Sequence, residues 1–101
     1  MVSKHLLQQA DQAAEFLTLL GNGKRLAIIS HLLEGELSVG SIAEKVDLSQ
    51  SALSQHLAKL RALGLVQTRR DRQMIFYSCD SEPVKQLMTT LDGIYGIGAA
   101  E

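Results

Sequence analysis

Tryptophan is absent from this chain, and cysteine and proline occur once each. The lone Cys79 excludes an internal disulfide and fits a reducing compartment. No apolar run approaches the roughly 20 residues that cross a bilayer, and the N-terminus lacks the basic-then-apolar pattern of a signal peptide. The expectation is a cytoplasmic protein with no membrane partner. Repeats, low-complexity tracts and interdomain linkers are also missing, so the 101 residues read as one domain, 1–101. No nucleophile–base constellation, phosphate loop or metal motif is present, which argues against an enzyme; no cofactor and no metal are expected. His5, His31 and His56 share no ligand spacing and read as surface or helix-packing residues. A strong net charge is lacking too: at −1 the whole chain is not a polybasic nucleic-acid binder.

The distribution of charge says more. From Ser49 to Gln73 five cations (Lys59, Arg61, Arg69, Arg70 and Arg72) accompany one anion, Asp71, a net of +4 that leaves −5 for the remainder of a chain totalling −1. A basic segment in an acidic body puts an electrostatic footprint on one face. Within it, SQSALSQHLAKLRALG has Leu53, Leu57 and Leu60 at helical spacing, an N-cap serine at Ser49 and a terminating glycine at Gly64. The opposite edge carries Gln50, Ser51, Ser54, Gln55 and Lys59. A solvated face is ordinarily rich in Glu and Lys. Amides and hydroxyls in the first two turns suit a helix that reads base edges in a major groove, where glutamine pairs with adenine. A polar surface helix is the competing reading.

The neighbours favour the first. Leu6, Ala10, Ala13, Leu17 and Leu20 predict one amphipathic helix from about His5 to Leu20. Gly21 to Gly23 break it, and Asn22 caps a second helix that ends at Gly35, with Leu26, Ile29, Leu32 and Leu33 inward. Lys24 and Arg25 occupy its first turn, where the helix dipole disfavours cations. They read either as solvated charges or as partners of phosphate or of a first-helix carboxylate. Ser38 caps a short third helix with Val39, Ile42, Ala43 and Val46 inward. Asp47 takes the awkward backbone position of the turn before Ser49. Two short helices and a tight turn make a helix-turn-helix. After Gly64 the alternation of Val66, Thr68 and Arg70, then the β-formers Met74 to Tyr77, predicts a hairpin tipped by Asp71 and Arg72, that is, a wing. Ser81 and Pro83 open a last helix striped with Val84, Leu87, Met88, Leu91, Ile94 and Tyr95. GIGAAE reads as a frayed tail.

The expected fold is mainly α with a small β-hairpin: a winged helix-turn-helix of five helices and a two-stranded wing. A chain this short buries only about 60–65% of its unfolded surface. Its first and last helices are more apolar than a small core needs. They predict a homodimer seam through Leu6, Ala10, Ala13, Leu17, Leu87, Leu91, Ile94 and Tyr95. Twofold symmetry would set two reading helices about one DNA turn apart on an inverted repeat in double-stranded DNA. Base readout falls to Gln50, Ser51, Ser54 and Gln55. Backbone contact falls to Ser49, His56, Lys59, Arg69, Arg70, Arg72 and Gln73. Cys79 reads as a half-buried small hydrophobe or as an oxidation-sensitive thiol.

KRLAII (24–29), ELSVGSIAEKVDLSQSALSQHLAKLRALGLV (36–66) and TRRDRQMIFYS (68–78), in this order, resemble the ArsR/SmtB family of winged helix-turn-helix repressors over essentially the whole chain. LSQSALSQHLAKLR and the late GIYG are most similar to its nodulation repressor branch. The resemblance implies a dimeric DNA-binding transcriptional regulator, usually a repressor. It leaves the effector unknown. Metal-sensing relatives carry cysteines where this chain has Leu37, Ser38, Val39 and Gly40. Zinc-binding relatives add histidine to a last helix that here offers Asp92. Redox relatives place cysteines at what look like Ser30 and Gly96. Arg72 stands where the family's wing often has glycine. A metal- or redox-gated sensor, and a winged helix used as a protein-interaction module, remain the alternatives.

Overall fold

In the computed structural model, which describes residues 2–96, six helices surround one small sheet: α1 (Lys4–Gln8), α2 (Ala10–Leu20), α3 (Gly23–Glu34), β1 (Leu37–Ser38), α4 (Val39–Val46), α5 (Gln50–Ala62), β2 (Gln67–Asp71), β3 (Met74–Ser78) and α6 (Glu82–Tyr95). Most of the tail expected to fray, 97–101, lies outside the described residues.

The boundaries follow local chemistry. Ser3, Asn22, Ser38, Ser49 and Ser81 are all extended, and each accepts an orphan backbone N–H of its helix through its side-chain oxygen. Asp47 ends α4 in the left-handed region at φ 57°, ψ 54°, as the turn demanded. Gly64 follows α5 at φ 72°, where a side chain would be strained.

Two expectations need correction. The first helix is two helices. The chain departs from helical geometry at Gln9 (φ −112°, ψ 23°), whose N–H bonds back to Leu6 and Leu7. Every residue from Val2 to Gln12 is exposed, so no packing enforces a continuous helix, and a five-residue helix is marginal on propensity alone. The count is therefore six, not five. The wing is also more than a free hairpin. Strands β2 and β3 pair antiparallel from Gln67↔Ser78 to Asp71↔Met74, and β1 adds a third strand through Leu37↔Tyr77 and Ser38↔Phe76, in the order β1-β3-β2. Two residues carry no strand signal by themselves. Pairing to β3 satisfies their backbone groups and ties the wing to the start of α4.

The core is wholly apolar. Leu20 (α2), Ile28, Ile29 and Leu32 (α3), Ile42 and Val46 (α4), Leu53, Leu57 and Leu60 (α5), Tyr77 (β3) and Val84 (α6) meet in one cluster, with no buried polar residue among the described residues. Ile28, fully buried, belongs to it although the sequence pattern chose its neighbours. Leu33 and Leu26 pack only at its edge. The three leucines of α5 fix that helix by its inner face and turn the other face outward.

Candidate nucleic-acid interface

Helix α5 presents Gln50, Ser51, Ser54, Gln55 and Lys59 as exposed side chains opposite Leu53, Leu57 and Leu60. Ser49 is held as the cap: its hydroxyl accepts from Ala52 N–H at 3.2 Å and lies 3.3 Å from the Ser51 hydroxyl. Ser51 is thus steadied locally, whereas Ser54 and Gln55 make no side-chain hydrogen bond among the described residues and are open to a partner. Gln50 sits at the junction with the wing. It lines an open cleft of about 360 Å³ with Ser38, Gly40, Gln73 and Met74. The cleft joins the first turns of α4 and α5 to the wing tip, so amide groups from two elements converge on one face.

The wing cations divide. Arg69 is engaged: its guanidinium donates to both carboxylate oxygens of Glu36, at 2.7 and 2.8 Å, and lies 4.8 Å from the centre of the Phe76 ring opposite it in the ladder. Glu36 raises the Arg69 pKa, chiefly through this hydrogen bond. Arg69 therefore braces the wing against the segment before β1, and its charge is locally compensated. Arg70 donates from Nε to the Arg72 carbonyl at 2.9 Å, stiffening the turn, while Arg72 and Gln73 project at the tip. Neither Arg70 nor Arg72 has a carboxylate partner among the described residues.

Arg72 pays for its place with backbone strain. It holds φ 61°, a region that disfavours any residue with a Cβ. Arg72→Gly is expected to stabilise the fold by about 1 kcal/mol and to flatten the salt dependence of DNA binding by about one unit of slope. Thermal melts and titrations at several salt concentrations check both. A variant that is stabilised but keeps the wild-type slope removes Arg72 from the phosphate contacts.

His56 is half-buried and accepts a hydrogen bond at Nδ1 from Arg25 Nε, 3.1 Å away. Burial, then the charges of Arg25 and Lys59, lower its pKa below the ordinary 6.5. Lys24 and Arg25 pair with no first-helix carboxylate among the described residues. Lys24 Nζ donates to the Val46 carbonyl and Arg25 Nη1 to the Leu19 carbonyl (3.0 Å), the negative ends of α4 and α2. Sequence reasoning singled out Arg25 but not the partners it takes, and it passed over Glu36. Arg25 left one signal, a cation against the dipole; Glu36 left none.

Cys79 is buried among core residues, and burial raises its pKa. A thiol so placed carries little thiolate. The expected result is that a maleimide labels it slowly in native protein and fully in denaturant. Rapid native labelling would restore it as a sensor. Among the described residues no three His, Cys, Asp or Glu gather at metal-binding distance, and no helix is long and apolar enough to cross a membrane.

The predicted dimer residues lie along α1, α2 and α6. Leu6, Leu17, Ile94 and Tyr95 are exposed by 46, 54, 60 and 80%. Ala10 is exposed, and Ala13 and Leu91 are half-buried. Leu87 packs at the edge of its own core.

Residues 22–68, from the cap of α3 into β2, match the family described as bacterial regulatory protein, arsR family. Nodulation protein NolR of Rhizobium meliloti is 53% identical over 89 residues, 88% of this chain and 73% of NolR. The chain belongs to the ArsR family. Transcriptional activator HlyU of Vibrio cholerae is 46% identical, over 83% of this chain and 78% of HlyU. The crystal structure of NolR from Sinorhizobium fredii superposes with a TM-score of 0.86 at 50% identity, covering 95% of this chain and 96% of that one. This ArsR-family protein is therefore a transcriptional regulator with a DNA-binding winged helix-turn-helix, in which α4 and α5 form the helix-turn-helix and β2–β3 the wing.

Proposed function

We propose that this chain, as one domain over 1–101, is a cytoplasmic repressor. It binds an inverted-repeat operator in double-stranded DNA as a homodimer and blocks a promoter by covering it. The observation that carries this is the uncovered amide-and-hydroxyl face of α5. Gln55 reads bases, assisted by Gln50, Ser51 and Ser54. Ser49, His56, Lys59, Arg70, Arg72 and Gln73 contact the phosphates and set affinity more than sequence preference. Arg69 joins them only by exchanging Glu36 for a phosphate.

The seam is formed by Leu6, Ala10, Ala13, Leu17, Leu87, Leu91, Ile94 and Tyr95 packed against a second copy of the chain. Two features support it. The single chain has a radius of gyration of 14.8 Å, against about 13 Å for a compact domain of this length. An open groove of about 790 Å³ between α3 and α6, lined by Leu26, Leu33, Met88, Leu91 and Tyr95, offers apolar surface to a second copy. No catalytic activity and no cofactor belong to this reading. That a relative is named an activator favours one second reading, in which the same binding recruits transcription rather than blocking it.

Selection of bound sites from a random duplex pool, with reductant and with a mild oxidant, tests the proposal. An enriched inverted repeat under both conditions supports a sequence-specific dimer without a thiol switch. Enrichment only under reductant makes Cys79 the switch. No enrichment under either condition overturns direct readout and leaves the protein-interaction module. A reporter promoter carrying the selected site then separates repression from activation.

A further inference from the structure

Arg25 sits where a helix wants no cation, and its side chain turns back out of α3. Nη1 donates to the carbonyl of Leu19 in the last turn of α2, at 3.0 Å, and Nε donates to Nδ1 of His56 in the middle of α5, at 3.1 Å. One planar guanidinium thus joins three helices, in a fork that lysine could not reproduce. A ring nitrogen that accepts from a permanently charged guanidinium carries no proton. The neutral imidazole must then carry its proton on Nε2. No group among the described residues accepts from Nε2. Nor is any polar side-chain atom there both buried and unpartnered, so the Nε2–H opens to solvent. It lies one turn before Lys59 on α5.

We propose that Arg25 is a positioning residue for DNA binding: it fixes His56 as the Nε2–H tautomer and presents that N–H to a backbone phosphate, while anchoring the reading helix to the end of α2. The inference rests on α5 being the DNA-contacting helix. The charged groups facing the imidazole are Arg25 from α3 and Lys59 from α5 itself, and both oppose its protonation. His56 therefore meets the phosphate as a neutral donor and releases no counterion. Arg70, Arg72 and Lys59 contribute to the salt slope; His56 and Arg25 contribute affinity without it.

The test uses the full chain, an operator duplex obtained by selection, and a duplex of unrelated sequence. Two-bond ¹⁵N–¹H correlation at neutral pH reports the tautomer directly: wild type is expected to show a bare Nδ1 and a protonated Nε2. Arg25→Gln is expected to give a mixture of tautomers. His56→Phe keeps the Arg25–Leu19 bond and so guards against a mere folding defect. Both variants are expected to bind both duplexes about tenfold more weakly, with the salt slope unchanged. His56→Gln, whose carbonyl can accept from Arg25 while its N–H₂ donates outward, is expected to restore binding. An Nδ1–H tautomer in wild type overturns the proposal, as do wild-type affinities in both variants or a slope that flattens by one in either. The reading of α5 itself stands or falls separately, on whether wild type prefers the selected operator.

Discussion

Leu17→Glu is expected to convert the protein to monomers and to remove most operator binding. Leu17 is 54% exposed in the single chain, so glutamate there meets water and leaves the monomer's stability within about 0.5 kcal/mol. In a twofold seam the same carboxylate appears twice and loses its water without gaining a partner, at several kcal/mol per dimer. A monomer holds one reading helix and one wing, and so forfeits the second half-site. Sedimentation should report the 11.0 kDa chain where wild type reports twice that mass. Leu63→Glu is the control: it is also partly exposed, at 38%, but caps the C-terminus of α5 and is not among the proposed seam residues, and should stay dimeric. Retained dimers in Leu17→Glu would move the interface elsewhere.

Gln55→Ala should abolish preference at particular base pairs while leaving the fold and the non-specific affinity intact. Gln55 is exposed on the face of α5 opposite Leu53, Leu57 and Leu60, so its removal opens no cavity. Alanine is the better helix former, which protects stability. A bidentate glutamine–adenine pair is worth about 1–3 kcal/mol of discrimination, or roughly 5- to 150-fold. Binding to the selected operator and to each single-base variant measures this loss. Equal weakening on every duplex, unrelated sequence included, would assign Gln55 to general affinity rather than base readout.

These two effects fall on residues that the sequence exposed well. Leu17 and Gln55 were recognisable because each lies in a periodic helix, and a period of 3.6 assigns every residue to a face. Caps were legible for a similar reason: Asn22, Ser38, Ser49 and Ser81 act on an N–H three residues away, a relation complete within one turn of chain. Asp47 and Gly64 were legible because few residue types tolerate a left-handed backbone. The wing tip was legible from RDRQ between two β-forming runs, and the net +4 of residues 49–73 from simple counting.

The departures share a different origin. The break at Gln9 carries no glycine or proline; it arises where Val2 to Gln12 are exposed in the single chain, so its own core does not hold them in one helix. Strand β1 exists only because β3, 38 to 40 residues on, supplies partners for Leu37 and Ser38. Arg69 looked like its neighbours Arg70 and Arg72 until the fold brought Glu36 to it across 33 residues. Arg25 looked like a misplaced surface cation until its guanidinium reached Leu19 and His56.

The sequence by itself therefore determined the helix-turn-helix, the wing, the exposed amide-and-hydroxyl face of α5 and the family, since these rest on periodicity, capping and turn chemistry that act within a few residues. Only the tertiary structure decided which cations take a carboxylate partner and which group faces Nδ1 of His56. Those are choices of partner, and a charged side chain selects its partner by distance in space, which residue spacing does not encode.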